Sequence, residues 1–280
     1  MSAVAIRPLQ ADDEGARPGR RRVERAPLPA GASLVETVPY RLTQRLLREV
    51  LGHRGCLEVS GPGGCGKTFA VDAHFERAEV DVVKVHLYAA VHGYGFVRRL
   101  IAELGGDPVG DAEGLMAALR EAVGTRRVYV YVDEADNLNT DSLRVIRYLR
   151  DQRDLWIAFV LVGSSFQKAY RRVPELDTRV TRRVNFAPLA GRALADTLAA
   201  YHPFLATAEP DLIRRIDAEH CKGNWRSWST MLETLLEYAA RVGETALTPQ
   251  LAAAALGVTV DVARAARGTR ARRSHLVAGR

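Results

Sequence analysis

The fold is decided by the stretch CLEVSGPGGCGKTFAVDAHF, residues 56–75. Its first part, CLEVS at residues 56–60, has the length and composition of a buried strand, and it ends at a run of glycines. The part TFAVDAHF that follows is typical of a helix. A strand, a glycine-rich turn and a helix in this order predict the first unit of an α/β fold.

The turn between this strand and helix reads GPGGCGKT, residues 61–68, and fits the pattern G-x-x-x-x-G-K-[ST]. Glycines allow backbone N–H groups to converge on the phosphates of a nucleotide, and the N-terminus of the following helix adds to the attraction. We expect Lys67 to reach the β- and γ-phosphates of ATP and the Thr68 hydroxyl to bind Mg²⁺. The predicted ATP-binding residues of this turn are Gly61, Pro62, Gly63, Gly64, Cys65, Gly66, Lys67 and Thr68.

A second motif, VYVYVDEAD at residues 128–136, is an apolar strand that ends in adjacent acidic residues. Hydrolysis of Mg·ATP needs one carboxylate beside the metal and another that activates the attacking water, both next to the phosphate loop. We assign Asp133 to the metal and Glu134 to the catalytic base. Because adjacent side chains leave a strand on opposite faces, the two acids must have different roles. The alternative is a solvated acidic turn.

Strands and helices alternate in the rest of the first two thirds of the chain. Segments at residues 82–87, 156–163 and 183–189 predict three more strands, which makes five, and the helical patterns between them indicate a parallel sheet covered on both faces. One of these helical patterns covers residues 112–123.

After Leu189 the pattern is helical only, with predicted helices at residues 193–201, 210–220, 225–242 and 249–256. Trp225, Trp228 and Leu232 recur at helical spacing and are interpreted as core of this helical part rather than as a base-stacking platform. The predicted organisation is a flexible basic arm at residues 1–32, an α/β phosphate-binding domain at 33–190, a small helical domain at 191–256 and a basic tail at 257–280.

Composition and charge limit the classes of function that the chain can have. The 280 residues carry a formal net charge of +7, and only four of the 40 basic residues are lysines. Arginine is well suited to phosphate recognition, but a GC-rich genome would give the same bias, so both explanations stay open. No apolar run approaches the ~18 residues of a membrane span. The N-terminus MSAVAIRPLQADDEG lacks the pattern of a secretory signal, so we expect a cytoplasmic protein without membrane partners.

The order of five motifs resembles the AAA+ ATPases, in the branch of transposition target-selection ATPases that contains MuB, TnsC and TniB. More distantly, the secretion-associated ExeA-type ATPases are similar. The resemblance extends from about residue 33 to 256, and it implies a P-loop AAA+ domain with a five-stranded parallel sheet, followed by a small helical lid domain. The motifs are GPGGCGKT, DEADNLNTDSLRVIRYLRD, AFVLVGSSF, LDTRVTRRVNFAPL and HCKGNWRSW.

The resemblance also implies roles for residues outside the first two motifs. Ser164, after the fourth strand, matches the sensor-one position, where a polar side chain holds the attacking water or the γ-phosphate. Arg179 matches the arginine that enters the nucleotide site of a neighbouring subunit, with Arg182 and Arg183 as substitutes. Arg226 resembles the sensor-two arginine of the lid, which binds the nucleotide. The alternatives are a serine that simply ends a strand and arginines that are ordinary solvated residues.

An arginine that acts in trans makes ATP turnover dependent on assembly, and head-to-tail stacking gives rings or open helices. The resembling ATPases form helical filaments around duplex DNA. The corresponding contact with DNA would come from HGYGFVRR, residues 92–99, where Arg98 and Arg99 are the predicted phosphate contacts. An ordinary exposed helix face is the alternative for these two arginines.

The resemblance implies an ATP-dependent DNA-binding regulator of transposition, without sequence specificity, that oligomerises on double-stranded DNA and recruits or activates a transposase. One alternative is an assembly or motor ATPase that acts on protein partners, like the ExeA-type proteins. Another is an origin-recognition-like initiator. An initiator of that kind would normally carry a winged-helix domain after the lid, for which we expect too little chain beyond residue 256.

Overall fold

The computed structural model describes residues 23–78 and 80–256. In this part of the chain a sheet of five parallel strands lies at the centre, in the order β2-β3-β4-β1-β5. The strands are β1 (Cys56–Ser60), β2 (Asp81–His86), β3 (Val128–Asp133), β4 (Ile157–Val162) and β5 (Arg182–Asn185). The predicted five-stranded parallel sheet is therefore confirmed. Because β4 separates β1 from β3, the turn after β4 lies between the two sequence motifs.

Helices cover both faces of this sheet, which is why β3 and β4 are buried along their whole length. An apolar core lies on each face of the sheet, and alternate residues of β4 point into one or the other. Phe159 packs on the side of α3, α4 and α5, and Val160 packs on the side of α1 and α2. The helices of this domain are α1 (Val38–Gly52), α2 (Lys67–Phe75), α3 (Gly93–Glu103), α4 (Ala112–Val123), α5 (Thr140–Asp151), α6 (Gln167–Arg172) and α7 (Pro174–Asp177).

Side-chain caps fix where several of these helices begin. The Asp111 carboxylate accepts a hydrogen bond from Gly114 N at 2.9 Å before α4, and Asn139 accepts one from Ser142 N at 2.9 Å before α5. Such caps satisfy backbone N–H groups that have no partner inside the helix. None of the helices that the structure describes is long and apolar enough to cross a bilayer.

The helical lid domain has its own apolar core, in which Trp228 and Leu232 are fully buried. Both therefore belong to the lid core as predicted, whereas Trp225, the third residue of that prediction, is only partly buried against it. The predicted helix over residues 210–220 is interrupted, because its α-helical part ends at Ile216 and a single π-helical turn follows. The lid elements are α8 (Arg192–Tyr201), α9 (Pro203–Ala206), α10 (Pro210–Ile216), the π turn (Asp217–Cys221), α11 (Trp225–Val242) and α12 (Pro249–Leu256).

Residues 23–37, which we call the strap, run across both domains. Val23 is buried in the sheet core, whereas Leu28 and Ala32 pack against the lid core. Ser33 N donates to Tyr201 O at 2.7 Å. Residues 23–32 of the predicted flexible arm therefore pack against the rest of the chain, because their apolar side chains contact the two apolar cores. The remaining arm residues, 1–22, and the predicted tail, 257–280, lie outside the described residues.

Candidate nucleotide-binding site

The turn between β1 and α2 needs its glycines. Gly61, Gly64 and Gly66 have φ values of 138°, 73° and 91°, a region that residues with a Cβ rarely adopt. A Cβ on Gly61 would lie 2.1 Å from Phe186 O, and one on Gly64 would lie 2.2 Å from Asn224 Oδ1. The backbone of the turn is thus held close to β5 on one side and to the lid on the other.

Lys67 begins α2, and its side chain folds back over the turn. Its Nζ donates to Gly61 O at 2.7 Å and to Pro62 O at 2.8 Å. The residue is buried, and this burial lowers the pKa of Lys67, while nearby acidic groups, Asp133 among them, partly oppose the shift. The ammonium group is therefore placed at the mouth of the glycine turn, where an anionic ligand would offset the cost of its burial.

Thr68 and Asp133 come together at the carboxyl ends of β1 and β3. The Thr68 hydroxyl donates to Asp133 Oδ1 at 3.2 Å, and His86 Nδ1 lies 3.5 Å from Asp133 Oδ2. A hydroxyl and a carboxylate are the hard oxygen donors that Mg²⁺ prefers beside nucleotide phosphates. The donor set therefore fits the predicted metal position.

Glu134 follows directly on the chain and has a different environment. Asp133, the last residue of β3, is buried, whereas Glu134 is exposed. Glu134 adopts a left-handed conformation with φ 57° and ψ 40°, and its N–H donates to Asp133 Oδ1 at 3.1 Å. Non-glycine residues in this conformation are uncommon and occur preferentially at functional sites.

Ser164 is fixed by its backbone between the two motifs. Its N–H donates to Asp136 Oδ1 at 2.6 Å, and its carbonyl accepts from Gly61 N at 3.1 Å. A Cβ on Gly163 would lie 2.0 Å from Asp136 Oδ1, so the approach of this carboxylate requires the glycine. Sequence reasoning missed Asp136, although its position as the third acid of DEAD was a signal.

The three candidates for a trans-acting arginine all form ion pairs away from the glycine turn. Arg179 binds both carboxylate oxygens of Asp151, at 2.8 and 3.2 Å, on the exposed surface. Arg182 pairs with Glu49. Arg183 donates to the buried Glu58 at 3.2 Å and also pairs with Asp177.

The lid contacts the glycine turn through the start of α11. Asn224 Nδ2 donates to Gly63 O at 2.8 Å, and the N–H groups of Trp225 and Arg226 donate to Gly64 O at 2.9 and 3.3 Å. The side chain of Arg226 is exposed. The structure therefore brings the backbone of the sensor-two candidate directly against the phosphate loop.

Arg98 and Arg99 are exposed on α3, and both guanidinium groups have partners within the chain. Arg98 donates to Gly110 O at 2.7 Å and also to Pro108 O, and Arg99 donates to His86 O at 3.2 Å. These bonds and the exposure of both side chains fit the alternative of an ordinary exposed helix face.

Two large aromatic side chains are exposed around the start of α3, one before the helix and one in its first turn. Tyr88 is 82% exposed and Tyr94 is 57% exposed. The segment between Asp81 and Glu103 contains no acidic residue, while it contains Lys84 and the two arginines of α3. Aromatic side chains in a positive segment are typical of nucleic-acid surfaces.

Asn137 connects this exposed segment with the acidic turn. Its side chain donates to Leu87 O at 2.7 Å, and its carbonyl accepts from Val91 N at 3.3 Å. The N–H of Asn137 donates to Glu134 O at 2.9 Å. One residue therefore holds both ends of the loop at residues 88–90 and closes the turn that carries Glu134.

Comparisons with known proteins agree with this geometry. Residues 48–169 match the family model of an AAA domain. A comparison with curated protein sequences finds no match. The Aeropyrum pernix ORC2 protein has a TM-score of 0.58 at 19% identity, with 86% of this chain and 72% of that chain covered. Cdc6p from Pyrobaculum aerophilum has a TM-score of 0.63 at 18% identity, with 81% and 68% covered.

A third similar structure is Drosophila ORC bound to DNA, with a TM-score of 0.58 at 17% identity and with 90% of this chain and 70% of that chain covered. At such identities the likeness concerns the fold and not the activity. The chain therefore has the AAA+ P-loop fold, and its residues 48–169 match an AAA domain.

Proposed function

We propose that this chain binds Mg·ATP and hydrolyses it to ADP and phosphate. The observation that carries the proposal is the meeting of Thr68 and Asp133 at 3.2 Å, beside a glycine turn whose lysine is buried over the loop. A phosphate-binding turn alone would serve nucleotide binding only. The exposed Glu134 next to the metal position adds the group that hydrolysis requires.

In the proposed reaction, the backbone N–H groups of the turn and Lys67 hold the phosphates and neutralise their charge. Bound Mg²⁺, held by Thr68 and Asp133, would supply further charge stabilisation. Glu134 accepts a proton from the attacking water, which forms a bond to the γ-phosphorus while the bond to the β–γ bridging oxygen breaks. Ser164 lies between the turn and the acids, where its hydroxyl can orient that water.

Two substitutions test this assignment. Lys67→Ala should abolish productive ATP binding, whereas Glu134→Gln should keep ATP binding and lose turnover, because only the proton acceptor is removed. Phosphate release and binding of a fluorescent ATP analogue measure the two effects. Glu113→Gln, an exposed acid on α4, is the matched control and should behave like the wild type. Wild-type turnover in Glu134→Gln would show that the catalytic base lies elsewhere.

We propose in addition that the chain binds duplex DNA in a nucleotide-dependent assembly. The support is the net charge of +7, the exposed tyrosines Tyr88 and Tyr94, and the arginines Arg98 and Arg99. Drosophila ORC, which has a similar fold, is described as bound to DNA. Because phosphate contacts dominate such binding, its affinity should fall steeply with salt and depend little on sequence.

Two parts of the chain contribute to this proposed affinity for DNA, the surface on α3 and the C-terminal tail. Their contributions can be measured separately. Replacing both Arg98 and Arg99 by Ala should weaken ATP-dependent binding and reduce the salt slope by up to about two phosphate contacts. Deleting residues 257–280 should lower binding equally in every nucleotide state if the tail acts only as a loose tether. Fluorescence anisotropy of a labelled duplex at several salt concentrations distinguishes the two.

For the biological role, we propose regulation of transposition, in which the assembled protein marks target DNA and recruits or activates a transposase. The support is the order of the five sequence motifs. Origin recognition is the second candidate, because several proteins of similar fold are ORC or Cdc6 proteins. Continuous helical filaments on arbitrary duplex DNA, seen by electron microscopy with ATP, would favour the first role. A footprint confined to a specific sequence would favour the second.

A further inference from the structure

The lid turn, residues 217–224, lies between α10 and the phosphate-contacting start of α11. It consists of the π-helical turn, Lys222 in a left-handed conformation with φ 51°, Gly223 with φ 71°, and the N-cap Asn224. Single π-helical turns inside helical regions are rare and are frequent at functional sites. An unusual backbone of this kind is stabilised by hydrogen bonds to side chains, and one residue makes most of these bonds.

Asp217 is the centre of this turn. Its Oδ1 accepts hydrogen bonds from Gly223 N at 2.7 Å and from Trp228 Nε1 at 2.8 Å, and its carbonyl accepts from Lys222 N at 2.6 Å. Trp228 is fully buried in the lid core. The carboxylate therefore joins the core of the lid to the backbone just before Asn224.

The backbone at Gly223 has no freedom to compensate for the loss of this support. Gly223 O accepts from Leu189 N at 2.9 Å, and a Cβ at this glycine would lie 2.2 Å from Leu189 O. The turn is thus packed against the end of the sheet domain. Its position decides where the next residues meet the phosphate loop.

Those next residues determine the orientation of one loop peptide. The N–H groups of Trp225 and Arg226 both donate to Gly64 O. In a trans peptide the C=O and the N–H point in opposite directions. Because Gly64 O points toward the lid, the N–H of Cys65 points away from it. The start of α11 therefore fixes the direction of a loop N–H group, in addition to placing Arg226.

We propose that Asp217 is a positioning residue for the nucleotide site, which holds the lid turn so that Asn224 and Arg226 engage the phosphate loop. The inference rests on the proposed binding of ATP. Asp217 does not touch the nucleotide in this arrangement. It acts through Arg226, which as a sensor-two arginine would fold the lid onto the γ-phosphate, so loss of Asp217 should affect ATP binding more than ADP binding.

The test compares the affinities of the full chain for a slowly hydrolysed ATP analogue and for ADP. Asp217→Ala should weaken binding of the ATP analogue by about tenfold, since it removes two hydrogen bonds that order the turn. Binding of ADP should change much less. Asp217→Asn should restore most of the affinity, because its amide oxygen can accept the same two bonds. Asp211→Ala, on the exposed surface of α10, is the matched control and should have no effect.

Two further variants separate positioning from general stability. Trp228→Phe keeps an aromatic ring in the core and removes only the indole donor, so the bond from Gly223 N remains and affinity for the ATP analogue should stay near the wild-type value. The double variant Asp217→Ala with Arg226→Ala should bind the analogue no more weakly than Arg226→Ala alone, because both changes remove one contact.

The inference is overturned if Asp217→Ala binds the ATP analogue like the wild type, or if it weakens ATP and ADP binding equally. It is also overturned if Trp228→Phe has the same effect as Asp217→Ala, because Asp217 would then act by stabilising the packing of the lid core. Failure of the wild type itself to bind the analogue would instead contradict the proposed function. Thermal melting of each variant identifies any that fail to fold.

Discussion

At the scale of single residues, ion pairs distinguish Arg179, the best match to a trans-acting arginine, from its substitutes Arg182 and Arg183. Arg183 is joined to Glu58, a buried acid in the middle of β1. Arg179 and Arg182 pair with acids on the exposed surface. Exposed pairs contribute little stability and are exchanged readily. Arg179 or Arg182 can therefore leave its partner for a neighbouring subunit at lower cost than Arg183.

We predict that Arg179→Ala leaves the ATP affinity of the monomer intact and depresses cooperative, DNA-stimulated hydrolysis, because the family resemblance implies that this arginine acts on the next subunit. A mixture with Lys67→Ala subunits should regain some activity, since one composite site is then complete. The measurement is steady-state phosphate release against protein concentration. If oligomers form and the mixture shows no rescue, Arg179 does not act in trans and Arg182 becomes the next candidate.

For Arg183 we predict a loss of stability instead. Arg183→Ala removes the charged partner of the buried Glu58, which keeps its hydrogen bond from the Tyr170 hydroxyl, and loss of a buried charge-assisted bond of this kind costs about 1–3 kcal/mol. Urea denaturation measures the change in the free energy of unfolding. Arg182→Ala is the control, because its partner Glu49 stays solvated. Equal stability of the two variants would contradict the structural role of Arg183.

Sequence reasoning located residues that the structure brings together where a motif carries its own chemistry. The glycine turn and the acids of β3 were recognisable because their spacing and residue types are what phosphate and Mg²⁺ binding require. Asp136, Asp217 and Asn137 were not found. Their roles depend on hydrogen bonds to Ser164 N, Trp228 Nε1 and Leu87 O, which are distant in sequence and come close only through the fold.

At the scale of elements, α1 and α2 meet at a buried histidine. His74 on α2 lies with Nδ1 3.1 Å from Gln44 Oε1 on α1. Burial lowers the pKa of His74 from 6.5 to about 4. The unfolded chain therefore binds a proton at this residue before the folded chain does as the pH falls. The contribution of neutral His74 to stability is present above about pH 7 and is lost progressively toward pH 4.

We predict that this residue accounts for on the order of 2 kcal/mol of the stability lost between pH 7.5 and pH 5. His74→Gln should flatten the pH dependence by that amount, as measured by urea denaturation at both pH values. His53→Gln is the control, because His53 is exposed and should leave the dependence unchanged. An unchanged pH dependence in His74→Gln would show that His74 titrates normally in the folded protein.

Periodicity predicted the long elements well, and α4, α11 and α12 were predicted with the observed bounds. The short elements α6, α7 and α9 were missed, because four to six residues show too little repetition to reveal a period. The π turn was read as a continuous helix for a related reason. Its backbone follows from the hydrogen bond between Lys222 N and Asp217 O, which apolar spacing does not encode.

At the scale of the whole molecule, the candidate nucleotide site, the lid and the exposed segment proposed to bind DNA are linked by direct contacts. The lid contacts the phosphate loop through Asn224, and the strap packs against both domains. On the other side of the site, Asn137 joins the turn of Glu134 to the loop that exposes Tyr88. In the proposed function, a change at the γ-phosphate can therefore reach both the lid and the segment proposed to bind DNA through these contacts.

The central claim is that the bound nucleotide controls DNA binding. The most direct measurement is fluorescence anisotropy of a labelled duplex with the Glu134→Gln variant, which should hold ATP without turning it over, in the presence of ATP and of ADP. We predict tight, salt-sensitive binding with ATP and at least tenfold weaker binding with ADP at about 0.15 M salt. Equal affinity in the two nucleotide states would contradict the account, because DNA would then be held by the charge of the chain alone.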